Sequence, residues 1–120
     1  MLRTLLIASV LLSPTAALAD SYPVSGKWGQ TTSSTKGPID CSGKRVIAFN
    51  GETRTDSKGG VPAYRNKSVS GGNGRWDIID IFTTGQISNG STRYTLKQSD
   101  QDHIALDLDK GGTIRLQRCK

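Results

Sequence analysis

The sequence predicts an all-β fold, a small antiparallel up-and-down barrel of seven or eight strands with one disulfide; a β-sandwich is the alternative. Three observations carry this expectation. Short runs of alternating apolar and polar residues are separated by Gly, Asn, Ser and Asp clusters, and no window shows the i, i+3, i+4, i+7 pattern of an amphipathic helix. The connections in the last third are too short for anything but antiparallel neighbours. The only two cysteines, Cys41 and Cys119, stand far apart in the chain, as expected of a structural staple closing a small domain.

Taken in order, the first strand is expected across Val24 to Thr32, with Val24, Gly26 and Trp28 on one parity. The second, Lys44 to Asn50, holds the uninterrupted run Val46-Ile47-Ala48-Phe49, which implies cover on both faces or a bulge. Glu52 to Gly60 reads as a polar, charged connection, and Val61 to Val69 as a weaker strand after Pro62. Ser70-Gly71-Gly72-Asn73-Gly74 has the composition of a turn. Arg75 to Thr84 is the strongest strand; Trp76, Ile78 and Phe82 share a parity with Asp80, so one carboxylate points toward the core. That burial demands a partner, for which Arg118, Arg45 or a bound cationic group would serve; the alternative is that Asp80 sits at a bulge and faces water. Thr92 to Gln98, His103 to Asp109 and Thr113 to Cys119 then form a three-stranded meander, with Tyr94, Leu96, Ile104, Leu106, Leu108, Ile114 and Leu116 inward. A chain running up and down in this way brings its first and last strands together, which suits a Cys41–Cys119 bridge. Closing so long a loop is worth about 4 to 5 kcal/mol on chain entropy alone.

The start of the chain predicts a compartment. Arg3, the apolar run Leu5 to Leu12 and the small-residue site Ala17-Leu18-Ala19 form a signal peptide over residues 1–19, too short in its apolar stretch to span a bilayer. Residues 20–120 are then one exported domain without a membrane anchor, periplasmic or secreted. The chain carries +6. Arg3 is the only charge in the leader, so the mature part carries +5, with the excess between Asp20 and Arg75. Such an excess suits anionic polymers, although it is also an ordinary solubility charge for a small domain.

Ser25-Gly26-Lys27-Trp28-Gly29 resembles the G-x-W motif in the first strand of lipocalin-like (calycin) barrels. The resemblance implies that Trp28 plugs one barrel end and that a basic residue of the last strand packs across its ring. Arg118, on the inward parity of Ile114 and Leu116, is the matching residue, and the cation–π contact is worth about 0.5 to 2 kcal/mol. In size, leader and single disulfide the chain also resembles small periplasmic barrels that inhibit secreted metalloproteases. That likeness implies that the mature N-terminal segment, Asp20-Ser21-Tyr22-Pro23, enters a protease cleft. It departs from those barrels in the wide sequence spacing of Cys41 and Cys119.

Catalytic chemistry finds little support. His103 is the only histidine and Glu52 the only glutamate, and nothing in the sequence brings them together. Asp107-Leu108-Asp109-Lys110-Gly111-Gly112 begins like a calcium loop but lacks further oxygen ligands, and a glycine hairpin explains it. No His/Cys cluster suits zinc. The expectation is therefore an exported, monomeric, non-catalytic binding protein without metal or cofactor. Its partner would be a small ligand or an exported protein, engaged through Trp28, Asp80, Arg118, Tyr22 and Pro23. Inhibition of a secreted protease is the alternative, and polyanion or nucleic-acid binding a further one. Nucleic acid is disfavoured because the mature chain has only seven aromatics for stacking, and several are needed inside.

Overall fold

Eight antiparallel strands close into a barrel in sequence order, so each strand pairs with its chain neighbours and the last returns to the first. The computed structural model describes residues 21–32, 37–42 and 44–120; the signal-peptide assignment and Asp20 lie outside these. The strands are β1 (Gly26–Gln30), β2 (Val46–Asn50), β3 (Thr53–Asp56), β4 (Tyr64–Gly72), β5 (Arg75–Phe82), β6 (Gly90–Asp100), β7 (His103–Leu108) and β8 (Thr113–Arg118). Among the described residues no helix is long and apolar enough to cross a membrane.

Three of the expected boundaries are corrected. The stretch read as a polar connection, Glu52 to Gly60, contains β3. Its Thr-Arg-Thr-Asp sequence places β-branched threonines outside and the buried Arg54 inside, so the usual apolar signal is missing. The glycine-rich stretch from Ser70 belongs to β4 as far as Gly72. Only Asn73 and Gly74 turn, both at positive φ (59° and 85°), as the hairpin turns that match strand twist require. The first strand is also shorter than expected, and Val24 packs into the core from the segment before it.

The inward parities follow the sequence reading closely. Trp28, Ile47, Ile78, Leu96, Leu106 and Leu116 are fully buried, and Phe49, Tyr94, Ile104 and Ile114 complete the core with Tyr22 and Val24. In the Val46–Phe49 run Ile47 and Phe49 point inward while Val46 and Ala48 are half-buried. Leu108, expected inside, is 39% exposed at the end of β7. A bulge between Asn66 and Ser68 shifts the β4–β5 register and lets both Asn66 and Val69 face inward.

The disulfide joins Cys41 to Cys119 across 78 residues, with Cα atoms 5.6 Å apart. Ile39 bridges Cys119 in parallel fashion, Cys119 N–H donates to the Lys27 carbonyl and Lys120 N–H to that of Ile39. The Ile39–Cys41 segment thereby lies on the outer side of β1. Gly29 makes this possible: a Cβ there would sit 2.7 Å from Cys41 Sγ and 3.1 Å from Ile39 Cδ1.

Candidate functional site

The barrel has two unlike ends. One carries the short turns 51–52, 73–74 and 101–102 together with the segment Ser21–Ser25; the other carries the longer connections 31–45, 57–63 and 83–89 and the turn 109–112. At the first end Trp28 pairs with Arg118 across the β1–β8 seam. The Arg118 guanidinium carbon lies 4.4 Å from the centre of the indole, as the sequence implies. Arg118 is fixed there by donating to the Ser25 and Gln101 carbonyls and to Asp102. The indole N–H donates to the Ser25 carbonyl, 3.0 Å away. This end is closed.

Asp80 is the hub of the interior. It is fully buried, and its Oδ2 accepts from Arg54 Nε at 2.8 Å and from the Tyr94 hydroxyl at 2.9 Å. Its Oδ1 accepts from the Tyr22 hydroxyl at 2.9 Å and, at 3.4 Å, from the Asn66 amide. The partner arginine is thus neither Arg118, held on Trp28, nor Arg45, which forms a two-pronged ion pair with Asp56. It is Arg54, from the strand that the sequence hid. Burial, together with the neighbouring Asp80 carboxylate, holds the Tyr22 and Tyr94 hydroxyls well above the usual phenol range, so both remain donors. For Arg54 burial pulls the other way, but the Asp80 carboxylate bonded to it outweighs burial and the guanidinium is held above its ordinary value. Such a pair adds little net stability over apolar packing, whereas removing one partner strands a charge in the core.

The opposite end is a mouth. Arg54 stacks on the ring of Tyr64, 3.9 Å from its centre, and Tyr64 meets Phe82 edge-to-face at 5.4 Å. Phe82 folds over Gly90 at the start of β6, where a Cβ would lie 2.5 Å from its ring and 3.0 Å from Ile87. Ile87 itself is 48% exposed, yet its turn is ordered: its N–H donates to Thr84 Oγ1 and its carbonyl accepts from Thr84 N–H. Together with Val61 and Thr92 these side chains line a cavity of about 670 Å³ between the 57–63 and 83–89 connections. It is a shallow depression open to solvent and not an enclosed pocket.

The remaining nominated residues are spread out. Tyr22 is built into the core against Phe49, with ring centres 5.0 Å apart, and Pro23 is half-buried beside it. Neither projects from the surface; Ser21 does. His103 is exposed and bonded to Asp100, and Glu52 pairs with Arg65 on another part of the rim. Among the described residues no group of three or more His, Cys, Asp or Glu gathers as a metal site. The inward direction of Asp80 and the Trp28–Arg118 contact agree with the sequence reading, which did not single out the grouping of Tyr64, Phe82 and Ile87. Comparison with protein-family models, with curated proteins and with solved structures gives no match to this chain.

Proposed function

We propose that this is an exported, non-catalytic binding protein with a lipocalin-like barrel, and that it takes a small ligand of apolar or aromatic character at the mouth. The observation that carries the reading is the rim: Ile87, exposed on a turn fixed by Thr84, stands beside the Tyr64–Phe82 pair over a concave surface. An ordered apolar side chain held out of the core at the lip of a cavity suits a contact surface. The interior below the mouth is filled by side chains and by the Asp80 network, so the ligand sits at the lip rather than deep inside. The Trp28–Arg118 end supports the lipocalin-like reading, and the leader with the disulfide supports export. The test is native mass spectrometry of protein purified from its own periplasm, beside a Phe82→Ala/Ile87→Ser variant. A small molecule held by the natural protein and lost from the variant is the expected result. A ligand retained equally by both would place binding elsewhere.

A further inference from the structure

We propose a second binding site on the outer wall of β5–β8, for an anionic polysaccharide strand. The register sets Arg75 beside Lys97, Lys97 beside Ala105, and Ala105 beside Arg115. These residues alternate with the inward set, so one row across four strands presents three cations with a single small residue among them. The row spans roughly 14 Å at ordinary strand spacing. Directly opposed like charges disfavour a sheet, and Arg75 faces Lys97 across β5 and β6.

Of the three cations only Lys97 is ion-paired among the described residues, and the carboxylate that pairs it, Asp107, also lies within the field of Arg75. Asp107 binds Lys97 Nζ at 2.6 Å and also accepts from Thr113, while Asp77 accepts from Thr95; both lie one row along. Among the described residues Arg75 and Arg115 have no carboxylate within ion-pairing distance. The small side chain of Ala105 leaves a groove of about 410 Å³ between Lys97 and Arg115, bordered by Thr31, Ser99 and His103. Cations with hydroxyls alongside match a chain of sugars bearing carboxylates or sulfates. Among the described residues the groove has no Trp, Tyr or Phe in its lining, and so lacks the stacking platform that single-stranded nucleic acid uses. The site lies on the outer face of the barrel and is independent of the mouth; it draws on the proposed export only for where such a polymer would be met.

The test is fluorescence anisotropy of a labelled polygalacturonate oligomer with the full mature protein at low salt. Neutral dextran and a single-stranded DNA of equal charge are the comparisons. We expect binding that weakens steeply with salt and at least tenfold on Arg75→Gln/Arg115→Gln. Ala105→Glu, which sets a carboxylate in the groove, should weaken it as much. The Phe82→Ala/Ile87→Ser variant should bind the oligomer normally, which separates this site from the mouth. The melting temperature of Arg75→Gln/Arg115→Gln should hold or rise, because a like-charge contact is removed; a purely structural role would lower it. Absence of polygalacturonate binding, an unchanged affinity in the double variant, or equal affinity for the DNA would each overturn the proposal.

Discussion

The two ends of the barrel are built on opposite plans. At the closed end an indole is sealed under a guanidinium, the chain folds back through Ser21–Ser25, and the disulfide fastens the segment ahead of β2 to the end of β8. At the mouth the aromatic residues are only partly covered and an isoleucine stands in solvent. The ladder there is also thin: β3 meets β4 only through Thr53–Arg65 and Arg54–Tyr64, whereas β5 and β6 pair along their whole length from Arg75–Lys97 to Phe82–Gly90. The Asp80 network ties the two ends together, because Tyr22 reaches it from the closed end and Arg54 connects it to Tyr64 at the mouth. The closed end is thus fastened by a covalent bond and a covered indole, whereas the mouth is less covered and its β3–β4 ladder shorter.

The sharpest way to break this division is to remove the hub. Asp80→Ala leaves Arg54 buried without its carboxylate and should cost about 3 to 5 kcal/mol in denaturant unfolding. A double change, Asp80→Leu with Arg54→Met, should recover most of that loss if the penalty comes from the stranded charge. Next in size is the staple: Cys41→Ser/Cys119→Ser should lower stability by about 2 to 4 kcal/mol. Replacing Arg118 with Ala removes the cover over Trp28 and should cost about 0.5 to 2 kcal/mol, with a red-shifted indole fluorescence as water reaches the ring.

Alkaline titration sharpens the comparison. The hydroxyls of Tyr22 and Tyr94 are held above their ordinary value of 10.0 in the folded protein. Their stabilising contribution is complete below that value and is lost as pH rises through the higher folded values, because the unfolded chain releases these protons first. Thermal melts should fall above pH 10, and less steeply in Tyr22→Phe, which lacks one of the two protons. The smallest effect is expected at the mouth, where Ile87→Ser should change stability by no more than about 0.5 kcal/mol.

How far the sequence discloses all this depends on which force sets each element. Where burial of apolar side chains decides, as in β7 and β8, alternation reveals the strand and its inward face directly. The Trp28–Arg118 contact was legible because the G-x-W resemblance implies a basic residue over the tryptophan and parity brings Arg118 inside at the end of β8. The fate of Asp80 was half legible: its inward direction follows from Trp76, Ile78 and Phe82, but its partner does not. Arg54 lies in a strand whose inside residue is charged, so the period of two carries no hydrophobic signal there. The mouth was hidden for a related reason. Its cavity depends on the approach of Phe82 to Gly90 and on the turn that Thr84 imposes on Ile87, and such three-dimensional coincidences leave no periodic trace.

The most direct test of this division is an amide chemical-shift map of the protein titrated with a small set of aromatic fragments. If the mouth is the binding surface, shifts should gather at Val61, Tyr64, Phe82, Ile87 and Thr92, while Trp28, Arg118 and the disulfide segment stay still. Shifts centred on Trp28 and Arg118, or spread evenly over the barrel, would contradict the assignment of contact to one end and of closure to the other.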